Sequence, residues 1–164
     1  MKLFNKKETI KTFEEVKAFL NNIDSIGCGG CGISALVMYR WLKKHKQLPE
    51  GTKIFFLEHD EDNHNNNKRF ISSGGNNDSA LKAPCHVVML YDGNYIDCTS
   101  VQFNITSRYD YILEIEEKYL VACLNNINSW NKMFERNKSL RKIEDNLNVN
   151  LSDIKRVFDL TDFM

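Results

Sequence analysis

Apolar residues recur at helical spacing in two segments near the start of the chain. The first segment follows Thr12, and Thr12 with Glu15 matches the capping-box pattern that starts many helices. It predicts a first helix that ends near residues 21–22. The second segment predicts a helix from about Cys31 to His45, whose apolar residues lie on more than one face. We therefore expect a central helix that is packed on several sides.

Short apolar runs bounded by turn residues predict an antiparallel sheet. Residues 53–58 form one such run, after a turn that contains Pro49. Asp92-Gly93 is a strong hairpin signal, and it predicts that strands 86–91 and 95–99 pair with each other. The expected fold class is α+β, with the central helix packed on a small antiparallel sheet.

The other segments are more polar. Residues 59–80 are rich in asparagine and predict a mobile surface loop that lies over a substrate groove. The C-terminal third has helical patterns, and the predicted helices cover residues 109–126, 129–136, 139–147 and a last segment from Ser152 through Phe158. Within the first of these, Tyr111–Ile115 is also compatible with a strand.

Length and composition narrow the class of protein. A chain of 164 residues predicts one domain, with a core in residues 12–100 and a helical extension in residues 108–164. The 22 basic and 22 acidic residues balance, which gives no support for a nucleic-acid or anionic-membrane partner. Five cysteines, with no signal-peptide pattern and no membrane-length apolar run, predict a cytoplasmic protein without a disulfide framework.

Candidate chemistry begins at Cys31, which follows a glycine-rich turn and begins the predicted central helix. A helix start favours a thiolate, because its backbone N–H groups are unpaired and its dipole is positive there. His86 and Asp97 follow on the predicted hairpin. The order of Cys, His and Asp indicates a nucleophile, its base and the residue that orients the base. The backbone N–H of Cys31 is the first candidate donor to an oxyanion.

The parity of the hairpin turn tests this hypothesis. A two-residue turn pairs Val88 with Asp97 and His86 with Thr99, which places His86 and Asp97 on one face of the sheet as diagonal neighbours. A three-residue turn would place them on opposite faces. The hypothesis therefore requires a turn of even length.

These residues resemble two related families of cysteine enzymes. The stretch Cys28-Gly-Gly-Cys31-Gly resembles the Cys-Gly-Ser-Cys-Trp motif of papain-like peptidases, in which the second Cys is the nucleophile. Residues 31–35 resemble the Cys-x-x-x-Ala helix start of transglutaminase-like proteins. His86, Asp92-Gly93 and Asp97 resemble the second and third catalytic residues of that superfamily and their intervening turn. The resemblance covers about residues 27–100.

The resemblance implies a cysteine-dependent hydrolase or acyl transferase that acts on peptide or amide bonds through a thioester. Its substrate would be a protein or peptide, and the chemistry would need no cofactor and no metal. Papain-like enzymes use a Gln six residues before the nucleophile as an oxyanion donor. Ser25 occupies that position here, and Asn22 is the other candidate.

The same residues allow other interpretations. Cys28 and Cys31 resemble the Cys-x-x-Cys pair of thioredoxin-like redox proteins, although no strand precedes them here. Together with Cys85 and Cys98 they could bind structural zinc in a non-catalytic binding domain. The polar segment could also bind a metal ion through His59, Asp60, Glu61, Asp62 and His64. Cys123, within an apolar segment, is predicted to be a core residue.

Overall fold

The computed structural model describes residues 10–27, 29–76, 81–126 and 134–156, and a four-stranded antiparallel sheet lies at its centre. The spatial order of the strands is β3-β2-β1-β4. In chain order the elements of the described residues are α1 (Phe13–Asn21), α2 (Cys31–Lys44), β1 (Lys53–Glu58), α3 (Glu61–Ser72), β2 (His86–Tyr91), β3 (Asn94–Ile96), α4 (Ile105–Arg108), β4 (Tyr111–Ile115), α5 (Glu117–Leu124) and α6 (Arg136–Leu147). The predicted α+β class is confirmed.

The sheet has a different apolar cluster on each face. Alternate residues of β1 and β2, among them Phe56 and Val87, belong to the main core, which they share with α2. Leu57 and Val88 point the other way and pack with Ile105 of α4 in a smaller cluster. Helix α2 packs on β2, while α1 and α5 pack on α2. As a result, α2 lies in the middle of the main core.

Both N-terminal helices follow the sequence prediction. The Thr12 side chain accepts a hydrogen bond from the Glu15 backbone N–H, and the Glu15 carboxylate accepts one from the Thr12 N–H. This capping box starts α1, which buries Val16 and Leu20. In α2, nine of the fourteen residues are buried, as expected for a central helix.

The prediction of a mobile loop over residues 59–80 is wrong, because most of this segment forms α3. Asp60 caps the helix by accepting a hydrogen bond from the Asn63 N–H at 2.9 Å. The buried Asn67 side chain both donates to the carbonyl of Lys82 and accepts from its N–H. Tertiary bonding of this kind outweighs the low helix propensity of asparagine. Residues 77–80 lie outside the described residues.

The prediction of a continuous helix over residues 109–126 is also wrong, and the strand alternative at Tyr111–Ile115 is right. These residues form β4, which pairs with β1 in antiparallel register, with Phe56 opposite Leu113. One edge of β1 pairs with β2, and the other edge can pair with this segment. The β-branched and aromatic residues of the segment also suit a strand. The helix begins only at Glu117.

The C-terminal predictions are met in part. Helix α6 includes the predicted segment 139–147 and begins slightly earlier. Most of the predicted helix 129–136 lies outside the described residues, as do Val157 and Phe158. Residues 152–156 are not helical, so the helix predicted from Ser152 does not start there. No helix within the described ranges is long and apolar enough to cross a membrane.

Arg40 of α2 forms ion pairs with two acidic residues of the C-terminal third. Its guanidinium donates to both carboxylate oxygens of Asp153, at 2.8 and 2.6 Å, and to Glu117 of α5 at 2.6 Å. These hydrogen bonds outweigh the effect of burial and hold the pKa of Arg40 above its ordinary value. The position of α2 is therefore fixed by ion pairs as well as by apolar packing.

Two glycines at the start of α2 leave no room for a side chain. A Cβ on Gly30 would lie 2.4 Å from the backbone oxygen of Ile26, and one on Gly32 would lie 2.9 Å from Leu124. We expect Gly30→Ala and Gly32→Ala each to lower the free energy of unfolding by about 1–3 kcal/mol, with the larger effect at Gly30, where backbone must move. Urea unfolding measures both changes.

Gly27→Ala is the matched control, because nothing lies within 4 Å of a Cβ at Gly27. It should change the free energy of unfolding by less than about 0.5 kcal/mol. Equal effects at all three glycines would contradict the close packing of this turn.

Candidate active site

Cys31 is the first residue of α2 and is partly exposed. The N-cap, Gly30, has no side chain, and among the described residues no side chain caps the helix and no acidic residue lies in its first turn. The start of an α-helix has backbone N–H groups without partners inside the helix, and such groups favour an anion. A thiolate at Cys31 is placed where the helix dipole stabilises negative charge.

His86 is the first residue of β2 and pairs with Leu57 of β1. The segment before it is held by side-chain hydrogen bonds from Asn67 to Lys82 and from Asn126 to the carbonyl of Leu81. Because His86 lies at one end of the strand, its ring reaches Cys31, which packs against the main core.

The hairpin turn has the even length that the hypothesis requires. Asp92 and Gly93 both have positive φ, of 49° and 82°, as a two-residue type I′ turn demands. Tyr91 pairs with Asn94 and Met89 with Ile96, in the predicted register.

The predicted pairs Val88–Asp97 and His86–Thr99 do not form, because β3 ends at Ile96 instead of continuing to residue 99. The chain turns back at Asp97, and Val101 forms an isolated bridge with Ile96. Asp97 itself causes this turn: its Oδ1 accepts hydrogen bonds from the backbone N–H groups of Thr99 and Ser100. Aspartate commonly forms such turns with the residues that follow it.

Even without the strand pairing, the His86 and Asp97 side chains meet. Nε2 of His86 lies 3.2 Å from Oδ2 of Asp97, and the two side chains are 20% and 13% exposed. The His86 ring also lies close enough to the Cys31 side chain for the two to interact. Since Asp97 occupies Nε2, Nδ1 is the ring nitrogen that remains for Cys31. The structure thus brings together Cys31, His86 and Asp97.

The electrostatics of the three groups favour a charged His86. Burial lowers the pKa of His86, but the interactions of its ring with Asp97 and Cys31 outweigh burial and raise the pKa to about 9. Burial likewise raises the pKa of Asp97, but hydrogen bonds from His86, Thr99 and Ser100 hold it well below its usual range. At neutral pH the pair is an imidazolium next to a carboxylate.

The other described cysteines lie in different environments. Cys85 is exposed, and its thiol donates to the buried carboxylate of Glu58 at 2.9 Å; burial and this hydrogen bond raise the pKa of Cys85. Cys98 is buried, accepts a hydrogen bond from Ser34, and has a pKa raised by burial. Cys123 is buried in the main core. Of the described cysteines, Cys31 is the one that begins a helix and lies next to His86.

The alternative interpretations have less support. Within the described ranges, no three His, Cys, Asp or Glu side chains are grouped so that they could bind a metal ion. Of the loop residues proposed as metal ligands, Asp60 caps α3, while His59 contacts Asp110 and His64 stacks on Tyr111. The redox and zinc alternatives also require Cys28, which lies outside the described residues.

The two candidate oxyanion side chains stay predictions. Asn22 is exposed at the C-terminus of α1. Ser25 is half-buried in the following turn, with a positive φ of 60°. Gln102 also belongs to this site and was not predicted from the sequence; its side-chain amide donates to Oδ2 of Asp97 at 3.0 Å. The sequence Asp97-Cys98-Thr99-Ser100 contains residues that favour turns, and it could have indicated that the chain folds back here.

Comparison with known proteins assigns no family. No protein-family model, no curated protein and no solved structure matches the chain.

We expect NMR titration to give a pKa of about 9 for His86, compared with 6.5 for an ordinary histidine. Asp97→Asn and Cys31→Ala should each lower this pKa, because each removes a group whose interaction with the ring raises the pKa of His86. Asp92→Asn is the control: it makes the same charge change as Asp97→Asn in the exposed turn of the same hairpin. A His86 pKa that responds equally to Asp92→Asn would contradict the local contact.

The same shift predicts how stability depends on pH. The folded protein holds the His86 proton more tightly than the unfolded chain does. This contribution, of about 3 kcal/mol, is therefore fully present below about pH 6.5 and is lost as the pH rises through about 9. Urea unfolding of the wild type and Asp97→Asn between these pH values should show a smaller loss in the variant.

Proposed function

We propose that the chain is a cysteine-dependent hydrolase or acyl transferase that acts on peptide or amide bonds through a thioester intermediate. Cys31 is the nucleophile, His86 the general base and acid, and Asp97 the residue that orients His86. The observation that carries the proposal is the position of His86, whose Nε2 lies 3.2 Å from Asp97 Oδ2 and whose ring interacts with Cys31 at the N-terminus of α2.

In the first half of the reaction, the Cys31 thiolate attacks the carbonyl carbon of the amide. A C–S bond forms, and one electron pair of the carbonyl moves to its oxygen. In this proposal, N–H groups of the first turn of α2 donate to the oxyanion. When the intermediate collapses, the C–N bond breaks and the His86 imidazolium gives its proton to the leaving nitrogen. The products are an amine and a thioester on Cys31.

In the second half, neutral His86 accepts a proton from water or from an acceptor amine as that group attacks the thioester carbon. The C–S bond breaks, and the site returns to a thiolate and an imidazolium. Asp97 keeps its negative charge throughout and stabilises the imidazolium. The proton that His86 donates in the first half is replaced in the second.

We extend the proposal to the fold and suggest a papain-like or transglutaminase-like core. The support is the order of the elements: the helix that begins with Cys31 precedes the sheet, His86 begins β2 and Asp97 follows β3. The resemblance in sequence covers about residues 27–100, and the elements after them, from α4 to α6, have no counterpart in it.

Peptide cleavage, isopeptide cleavage, side-chain deamidation and transamidation all pass through the same thioester. They differ in the shape of the groove and in which acceptor is admitted. We take peptide hydrolysis as the first reaction to test, because water is always present as an acceptor.

Limited reaction with iodoacetamide at neutral pH should alkylate Cys31 before the other cysteines. His86→Ala should slow this alkylation about tenfold or more, because the thiolate loses its imidazolium partner. Peptide mapping by mass spectrometry gives the site and the rate.

Cys85 is the internal control for this experiment, because it is exposed but its raised pKa keeps it a thiol. A Cys85→Ser variant should react at Cys31 at the wild-type rate. First alkylation at Cys28 would favour the redox alternative and contradict the proposal, as would a Cys31 rate unaffected by His86→Ala.

Thioester formation can be tested with p-nitrophenyl acetate, an activated ester. We expect a burst of p-nitrophenolate and an acetyl group on the peptide that contains Cys31. Cys31→Ala should abolish the burst and Cys85→Ser should preserve it. If the acetyl group appears on other residues only, Cys31 is not the acyl acceptor.

A further inference from the structure

The two carboxylate oxygens of Asp97 have different partners. Oδ1 accepts three hydrogen bonds from its own turn: from the N–H groups of Thr99 and Ser100, at 2.8 and 2.9 Å, and from the Thr99 hydroxyl at 2.5 Å. Oδ2 lies 3.2 Å from His86 Nε2 and accepts from Gln102 Nε2 at 3.0 Å. One oxygen fixes the turn, and the other is shared between His86 and Gln102.

Gln102 has other contacts besides the one with Asp97. Its backbone N–H donates to the carbonyl of Tyr95 at 2.7 Å, and the neighbouring Val101 forms a bridge with Ile96. Its side-chain amide also donates to the Ser100 hydroxyl at 3.1 Å. Since an ionised carboxylate only accepts hydrogen bonds, the atom of Gln102 that faces Asp97 is the nitrogen. The residue is a fixed donor supplied by the segment that returns along β3.

We propose that Gln102 is a positioning residue of the candidate active site, which holds Oδ2 of Asp97 in the direction of His86 Nε2. This inference rests on the proposed function, because it assigns Gln102 to the machinery that activates Cys31. Gln102 acts through Asp97 and His86.

The physical reason lies in the rotation of the carboxylate. The three donors to Oδ1 fix one oxygen, but they leave the carboxylate plane able to turn about that point. A second donor at Oδ2 restricts this rotation and keeps the lone pair that faces His86 in place. Without it, the Asp97 carboxylate samples more orientations, and the His86 ring loses the partner that fixes it.

The test compares Gln102→Leu, which removes the donor at similar size, with Gln102→Glu, which replaces the donor by an acceptor. We expect both variants to slow the alkylation of Cys31 by iodoacetamide about three- to tenfold. In Gln102→Leu, NMR titration should show that the pKa of His86 falls by about one pH unit, because its hydrogen bond to Asp97 is weakened. A residue that only supports the loop would move neither quantity in a folded protein.

Gln47→Leu is the matched control, because it makes the same change at an exposed glutamine that follows the C-terminal end of α2, at the opposite end of the helix from Cys31. It should leave the alkylation rate within about twofold of the wild type. His86→Ala and Asp97→Asn are measured beside it. If they slow alkylation and both Gln102 variants do not, this inference is wrong and the proposed function stands.

If His86→Ala and Asp97→Asn also have no effect, the proposed function itself fails. Failure of both Gln102 variants to fold would also overturn the inference, because a positioning role leaves the fold intact. Unfolding midpoints in urea, measured for every variant, separate these outcomes.

Discussion

The close approach between the start of α2 and the turn before it is the constraint on which the candidate site depends. Gly30 lets the backbone of Ile26 pass where a Cβ would collide with it, and Gly32 lets α5 pack against the first turn. These contacts, with the ion pairs of Arg40, fix the direction of α2. Cys31 consequently lies at a defined place relative to β2, and a rigid helix presents its thiol.

Local patterns predicted the elements whose ends are set by their own residues. The capping box of Thr12 and Glu15 starts α1, and Asp92-Gly93 sets the register of the hairpin. The failures lie where a distant partner decides the outcome. The buried amide of Asn67 is bonded to Lys82, and β4 forms because β1 offers it an edge. Neither partner is visible in the local sequence.

The candidate site also has features that the local sequence predicts and features that it does not. That His86 and Asp97 share a face followed from the parity of the turn, and the two side chains do meet. The way they meet did not follow, because Asp97 lies in a turn of its own making and not in a strand. Gln102 could not be found from spacing, since its position depends on how the chain returns along β3. The chemical types of Cys31, His86 and Asp97 thus made them predictable as candidates. Gln102 was missed, because its place at the site depends on the fold.

The short path between His86 and Asp97 has a consequence for when reactivity arises during folding. The two residues are eleven apart and are joined by a two-residue turn, so their contact closes a small loop within one hairpin. Cys31 belongs to a separate helix and reaches His86 only when α2 docks on the sheet. An unfolded or partly folded chain therefore carries a thiol with no base beside it. Under the proposed function, activation of the Cys31 sulfur coincides with the docking of α2, so a newly made chain gains this reactivity only when its core has formed.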